Sequence, residues 1–139
     1  MSDTPANGSR QPPMAMIKPG VELLSESLGD GPVVVRHKHY QVRLRMWLSR
    51  GEPVVWDKSL YNRVEEDGVT RISDVHVHRG RLIAGLFYGM QGMHVGGTRT
   101  LRIAPHLAYG EQGVPGVIAA NALLTIEVTV LSHRSDMDY

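Results

Sequence analysis

Residues Arg102–Ile118 read RIAPHLAYGEQGVPGVI. A strand-like run stops at Pro105, a tyrosine follows at Tyr109, and a loop punctuated by Gly110, Gly113 and Pro115-Gly116 closes on the branched pair Val117-Ile118. Loops of this kind, presented by a rigid scaffold, form the walls of binding sites. On the residues alone Tyr109 is equally a turn residue with its hydroxyl on backbone.

Upstream, Thr98 to Ile103 alternates, with Thr98, Thr100 and Arg102 opposite Arg99, Leu101 and Ile103. Downstream, Leu123 to Leu131 is β-branched and nearly continuous in apolar spacing. Tyr40 to Leu48 is the clearest strand: Tyr40, Val42, Leu44 and Met46 share one face and Gln41, Arg43 and Arg45 the other, the period of two of a half-buried strand. Shorter strand signals lie at Val21–Ser27, closed by the turn Gly29-Asp30-Gly31, at Val33–Arg36, at Val54–Trp56 after the break at Gly51 and Pro53, and at Val69–His78. One segment changes period. Ile83, Leu86, Phe87, Met90 and Met93 recur at three and four, a helical face, although Gly85, Gly89 and Gly92 each weaken a helix by about 1 kcal/mol relative to alanine. The pattern predicts an α+β domain: about five antiparallel strands curled around one short helix, one sheet face wet. Residues 1–19, with four prolines and little apolar periodicity, read as a disordered arm, residues 20–131 as the domain and 132–139 as a frayed tail.

Composition narrows the function. The 139 residues suit one domain, and the net charge of +1 gives no basic nucleic-acid footprint. The absence of cysteine excludes disulfides, thiolate metal sites and a cysteine nucleophile. No apolar run reaches the roughly 20 residues of a membrane span, and no secretory signal is visible, so the expected location is cytoplasmic. There is no Gly-x-Ser-x-Gly, phosphate loop or dinucleotide fingerprint, and Gly92–Gly97 reads as a turn. His37 with His39 and His76 with His78 have the strand spacing that points two imidazoles to one face, which is half a metal site. Solvated histidines are the favoured reading and an adventitious nickel or zinc site the alternative; no metal or cofactor is expected.

Pro105, Ala108, Tyr109, Gly110, Gly113, Pro115, Gly116 and Ile118 together resemble the Pro-x-x-Ala-Tyr-Gly-x-x-Gly-x-Pro-Gly-x-Ile pattern of the FK506-binding protein family of peptidyl-prolyl isomerases. Gly89, Met93, Val95 and Gly96 resemble the segment after that family's helix, Ile83 and Gly85 its opening, Gly29-Asp30-Gly31 its early turn, Trp56-Asp57 its aromatic-Asp pair, and Asn121–Leu131 its last strand. The resemblance spans about Gly20 to Leu131. It implies a curved antiparallel sheet wrapped on a short helix, with the active site between them.

The implied reaction is rotation about an Xaa-Pro bond, assisting protein folding, with proline-containing peptides or unfolded chains as partners, macrolide inhibitors as ligands, and neither nucleic acid nor membrane. By the resemblance, Leu44, Trp56, Leu82, Leu86, Val117, Ile118 and Ile126 form the apolar pocket. The Ile83 N–H holds a substrate carbonyl, Tyr109 donates its hydroxyl to another, and Asp57 points at the amide carbon or is held by neighbouring donors. Leu86 stands where the family usually has its tryptophan platform, Leu44 where it has a tyrosine and Ile126 where it has a phenylalanine; a further aromatic near Ile72 or Ser73 has no counterpart. These departures imply low activity, weakened macrolide affinity and an alternative: a module of the same fold that binds proline segments with weak or no catalysis. The short Tyr109–Ile118 loop leaves no room for the inserted domain of the family's metal-linked chaperones.

Overall fold

The computed structural model describes residues 15–56 and 63–138. Its elements are strands β1 (Ala15–Lys18), β2 (Val21–Ser27), β3 (His39–Leu48), β4 (Arg63–Val64) and β5 (Arg71–His76), helix α1 (Ala84–Gly89), and strands β6 (Thr98–Ile103) and β7 (Leu124–His133). Short 3-10 turns lie at Pro105–Leu107 and Ser135–Met137. The strands form one antiparallel sheet in the order β1-β2-β6-β7-β3-β5-β4.

The alternation of β3 decides which face is the core. Tyr40, Val42, Leu44 and Met46 are buried, and on the paired strand β7 Leu124, Ile126, Val128 and Val130 are fully buried. The register sets Met46 opposite Ile126 and Ile126 opposite Leu101, so three strands supply one layer of side chains. The other face is polar and half-buried, laced by Arg45–Glu127 at 3.1 Å and Arg102–Glu22 at 3.3 Å, while the Arg99–Glu26 pair at 2.8 Å lies on the helix side, where Arg99 also donates to the Gly89 and Gln91 carbonyls. A bulge pairs Gln41 with Ser132 and Val42 with Val130, which leaves Leu131 as the extra residue and turns it to solvent.

Helix α1 packs on the inner face through its glycines. A Cβ on Gly85 would lie 2.4 Å from Ile103 Cγ2, and one on Gly89 would lie 2.5 Å from Leu101 Cδ1. The residues that weaken the helix locally thus let it sit close against β6, and burial of Leu86, Phe87 and Met90 holds it there.

Several expectations are corrected. Among the described residues the sheet has seven strands rather than about five. One addition, β1, lies at residues expected in the arm. It joins the edge by backbone pairing to β2 while Met16 stays 64% exposed, so no burial pattern announces it. The other, β4, is two residues long. Residues 1–14 lie outside the described residues. Val33–Arg36 is not a strand: Val33 makes an isolated bridge to His94, and the Val34 N–H donates to the Met93 carbonyl at 2.6 Å. Val54–Trp56 is not a strand either, because Pro53 has no N–H to continue a ladder and bridges only Trp47. The helix ends at Gly89 rather than Met93, and the chain reverses at Gly92, whose φ is +82°.

The tail is anchored up to Asp138 rather than frayed from Ser132. Asp138 accepts the His39 N–H at 2.8 Å, the His39 ring at 2.9 Å and the His133 ring at 2.6 Å. Burial raises the Asp138 carboxyl, but these three hydrogen bonds outweigh it and lower its pKa to about 2.

Candidate active site

The loop quoted first folds back on itself. Gly110 and Gly113 both have φ +59°, so the chain turns left-handed twice just after Tyr109. The Gly110 N–H donates to the Pro105 carbonyl at 2.8 Å and the Gly113 N–H to the Tyr109 carbonyl at 3.0 Å. Val114-Pro115-Gly116-Val117 is then a tight turn, with proline at the second position and glycine at φ +74° at the third, closed by the Val117 N–H on the Val114 carbonyl at 2.8 Å. Val114 and Ile118 exchange both backbone bonds at 2.8 Å. This self-bonded lobe sends Ile118 into the core and leaves Val117 and Tyr109 partly exposed on it. The Tyr109 hydroxyl has no hydrogen-bond partner among the described residues.

The start of α1 packs on the same buried cluster. Ile83 precedes the helix in an extended conformation (φ −56°, ψ 141°), and its carbonyl accepts the Leu86 and Phe87 N–H groups at 3.0 Å. Its own N–H has no partner among the described residues. Ile83 and Leu82 are partly buried against the core, while Leu86, one turn on, is 2% exposed.

Trp56 is positioned by its N–H on the Gly68 carbonyl at 2.9 Å. The Arg71 guanidinium lies 4.1 Å from the centroid of the indole, and its buried Nε has no hydrogen-bond partner among the described residues, where the ring face supplies the electrostatic contact. Sequence reading missed Arg71. Nothing in the spacing of 56 and 71 signals the contact, which exists only because the 54–56 segment runs beside Gly68.

Leu44, Leu86, Ile118 and Ile126 therefore lie within the buried apolar cluster, and Trp56, Leu82, Ile83, Tyr109 and Val117 pack on it half-exposed. Asp57 lies outside the described residues. A separate open hollow, lined by Leu48, Arg50, Glu52 and residues 119–123, contains none of the expected site residues.

The histidine pairs depart from strand geometry. His37 has φ +72°, and the His78 N–H turns back onto the His76 carbonyl at 2.7 Å. The rings instead form a row, with centroid distances of 5.5 Å for His37–His78, 5.2 Å for His76–His78 and 4.2 Å for His39–His76. Among the described residues no group of three or more His, Asp or Glu side chains is placed to hold a metal. Burial holds the His76 pKa below the ordinary histidine value, and the neighbouring His39, His78 and Arg81 charges add to this.

Comparison with known proteins matches the same residues. Residues 50–131 fit the family model described as FKBP-type peptidyl-prolyl cis-trans isomerase. A peptidyl-prolyl cis-trans isomerase of Saccharomyces cerevisiae is 30% identical over 125 residues, covering 90% of this chain and 28% of the yeast protein. FK506-binding protein 1A of Neurospora crassa is 46% identical over 58 residues, 42% of this chain and 48% of that protein. The matched segments thus span less than half the length of these curated relatives. A crystal structure of a peptidyl-prolyl cis-trans isomerase from Pseudomonas syringae pv. tomato superposes with a TM-score of 0.67 at 20% identity, covering 96% of this chain and 98% of that one. With the curved sheet, the glycine-packed helix and the Tyr109 lobe in place, the chain belongs to the family of FKBP-type peptidyl-prolyl cis-trans isomerases.

Proposed function

We propose that this chain catalyses cis-trans rotation about Xaa-Pro bonds in flexible or unfolded polypeptides, and so assists folding, by non-covalent preference for the twisted amide. Supporting the reading are two hydrogen-bond donors without a partner among the described residues, the Ile83 N–H and the Tyr109 hydroxyl, both on residues that pack against the one buried apolar cluster.

A planar amide resists rotation by roughly 18–20 kcal/mol. Twisting breaks C–N conjugation and reduces the carbonyl dipole, so an apolar floor favours the twisted amide relative to water. The Ile83 N–H fixes one substrate carbonyl, the Tyr109 hydroxyl a second, and Leu86 and Trp56 meet the proline ring. Only interactions stronger in the twisted state accelerate the step. A ~1000-fold acceleration needs about 4 kcal/mol of such preference. No bond breaks, so no nucleophile or cofactor takes part. Leucine, leucine and isoleucine at 44, 86 and 126 keep the floor apolar but remove aromatic edges that would contact carbonyl and ring, which favours modest rates and weakened macrolide affinity.

Titration of the 15N-labelled protein with a Leu-Pro peptide and its Leu-Ala twin tests the placement. The proline peptide is expected to shift the Ile83 amide and the Trp56 indole and the alanine twin to shift neither. Shifts confined to the hollow at residues 48–52 and 119–123 would remove the assignment.

A further inference from the structure

The balanced net charge conceals a local imbalance. Arg36-His37-Lys38-His39 and His76-Val77-His78-Arg79-Gly80-Arg81 are far apart in sequence, yet the sheet lays them side by side. The His37 N–H donates to the Val77 carbonyl at 2.8 Å, the Val77 N–H to the Lys38 carbonyl at 3.0 Å, and His39 is the register partner of His76. Arg36, Lys38, Arg79 and Arg81 are all exposed. Among the described residues none of the four has a carboxylate partner, whereas the carboxylates at this end of the sheet are taken: Asp74 and Asp136 by Arg134, and Asp138 by His39 and His133. Arg79 instead reaches the Tyr88 hydroxyl, and Arg36 lies 5.5 Å from the Phe87 ring centroid.

This unpaired positive surface runs directly into the candidate cleft. Arg81 is followed by Leu82 and Ile83, and the Arg81 and Leu82 N–H groups both close on the His78 carbonyl, at 3.0 and 3.2 Å. At roughly 3.3–3.6 Å per extended residue, Arg81 lies within ~7 Å of chain from Ile83 and Arg79 within ~14 Å. A side chain two to four residues from a bound prolyl bond is therefore in reach of both.

We propose that the patch selects substrates: that the cleft acts preferentially on Xaa-Pro bonds flanked, two to four residues away, by aspartate or glutamate. This rests on the isomerase reading and names its substrate class. The location favours an acidic polypeptide over a nucleic acid, because the patch adjoins the prolyl site and the chain as a whole carries only +1. Charges of this kind act through the encounter and are screened beyond about 10 Å at 0.1 M salt.

The test compares a Leu-Pro peptide carrying three flanking glutamates, on one side or the other, with its glutamine twins, by NMR exchange at 20 and 300 mM salt. An exposed ion pair is worth a factor of roughly 1.4 to 5, so the better acidic peptide is expected to show about tenfold higher kcat/KM at low salt. That advantage should shrink to about twofold or less at 300 mM salt or in R36Q/K38Q/R79Q/R81Q, with the glutamine twin unchanged. The double variant K38Q/R81Q alters side chains that make no hydrogen bond or ion pair among the described residues, so it tests the patch without a folding cost and should lose part of the advantage. Equal rates for acidic and neutral peptides in the wild type, or an advantage untouched by either variant, would overturn the proposal. So would patch-dependent binding of duplex DNA at 150 mM salt without any gain for acidic peptides. If no peptide is turned over, the isomerase reading fails by itself. Amide shifts at residues 79–83 then decide the patch separately: stronger binding of the acidic peptide keeps it, equal binding removes it.

Discussion

Alanine at Gly85 sets helix propensity against packing, and the structure decides which wins. The added methyl favours the helix by at most about 1 kcal/mol. It would also stand 2.4 Å from Ile103 Cγ2, 2.6 Å from Cδ1 and 3.0 Å from Cγ1. Ile103 is fully buried and cannot swing aside, so the helix must move off β6 by about an ångström. Overpacking of this kind costs about 1–3 kcal/mol. The expected net loss is about 1 kcal/mol, near 4 °C in melting temperature for a domain of this size, read by urea unfolding. Ile103→Ala removes all three clashing atoms and by itself costs about 2–5 kcal/mol. In that background Gly85→Ala is expected to change sign and stabilise by up to ~1 kcal/mol, a coupling of about 2 kcal/mol, which is large for a neighbouring pair. Because Ile83 and Leu86 move with the helix, the single variant should also lose kcat/KM. An equal effect of Gly85→Ala in both backgrounds, or plain stabilisation of the wild type, would show that the helix is not clamped to β6 and would refute the reasoning.

Four further outcomes follow from particular contacts. Tyr109→Phe removes a hydroxyl with no partner among the described residues, so stability should hold within about 0.5 kcal/mol while kcat/KM falls about 2- to 10-fold, the worth of one neutral hydrogen bond. Gly113→Ala places a Cβ 2.3 Å from the Ile118 carbonyl oxygen at φ +59°; backbone cannot yield as a side chain does, so the lobe should open, costing about 1–3 kcal/mol and raising KM. The depressed pKa of His76 makes the unfolded chain the better proton acceptor. Stability should therefore be intact above about pH 6.5, the unfolded value, and fall as pH drops through the lower folded value. Unfolding curves between pH 7.5 and 5 should flatten in His76→Gln. Asp138, at about 2 when folded, keeps its contribution above about pH 4 and loses it only as pH falls toward 2.

Where one face is buried and the other wet, the fold was legible residue by residue: the inward set Tyr40, Val42, Leu44, Met46 and the span Thr98–Ile103 were both readable as they stand. Strand β1 was not, because an edge strand held by backbone pairing carries no burial signature. Nor was the Asp138 anchor, whose partners His39 and His133 are brought to it only by the β3–β7 register. Glycines misled in one direction: Gly85 and Gly89 count against a helix locally and for its packing globally. The choice of candidate site residues came from the resemblance around Tyr109, since Ile83, Leu86 and Ile126 have no periodic feature that separates them from ordinary core. The basic patch and the Trp56–Arg71 contact required the register, which a single sequence does not display.

Two-dimensional exchange NMR on a Leu-Pro tetrapeptide, with protein at one-hundredth of the peptide concentration, probes the central claim most directly. Uncatalysed exchange takes tens to hundreds of seconds. The account predicts cis-trans cross-peaks at sub-second mixing times that weaken in Tyr109→Phe. Exchange no faster than in buffer, from protein shown to be folded and to bind the peptide, would contradict it.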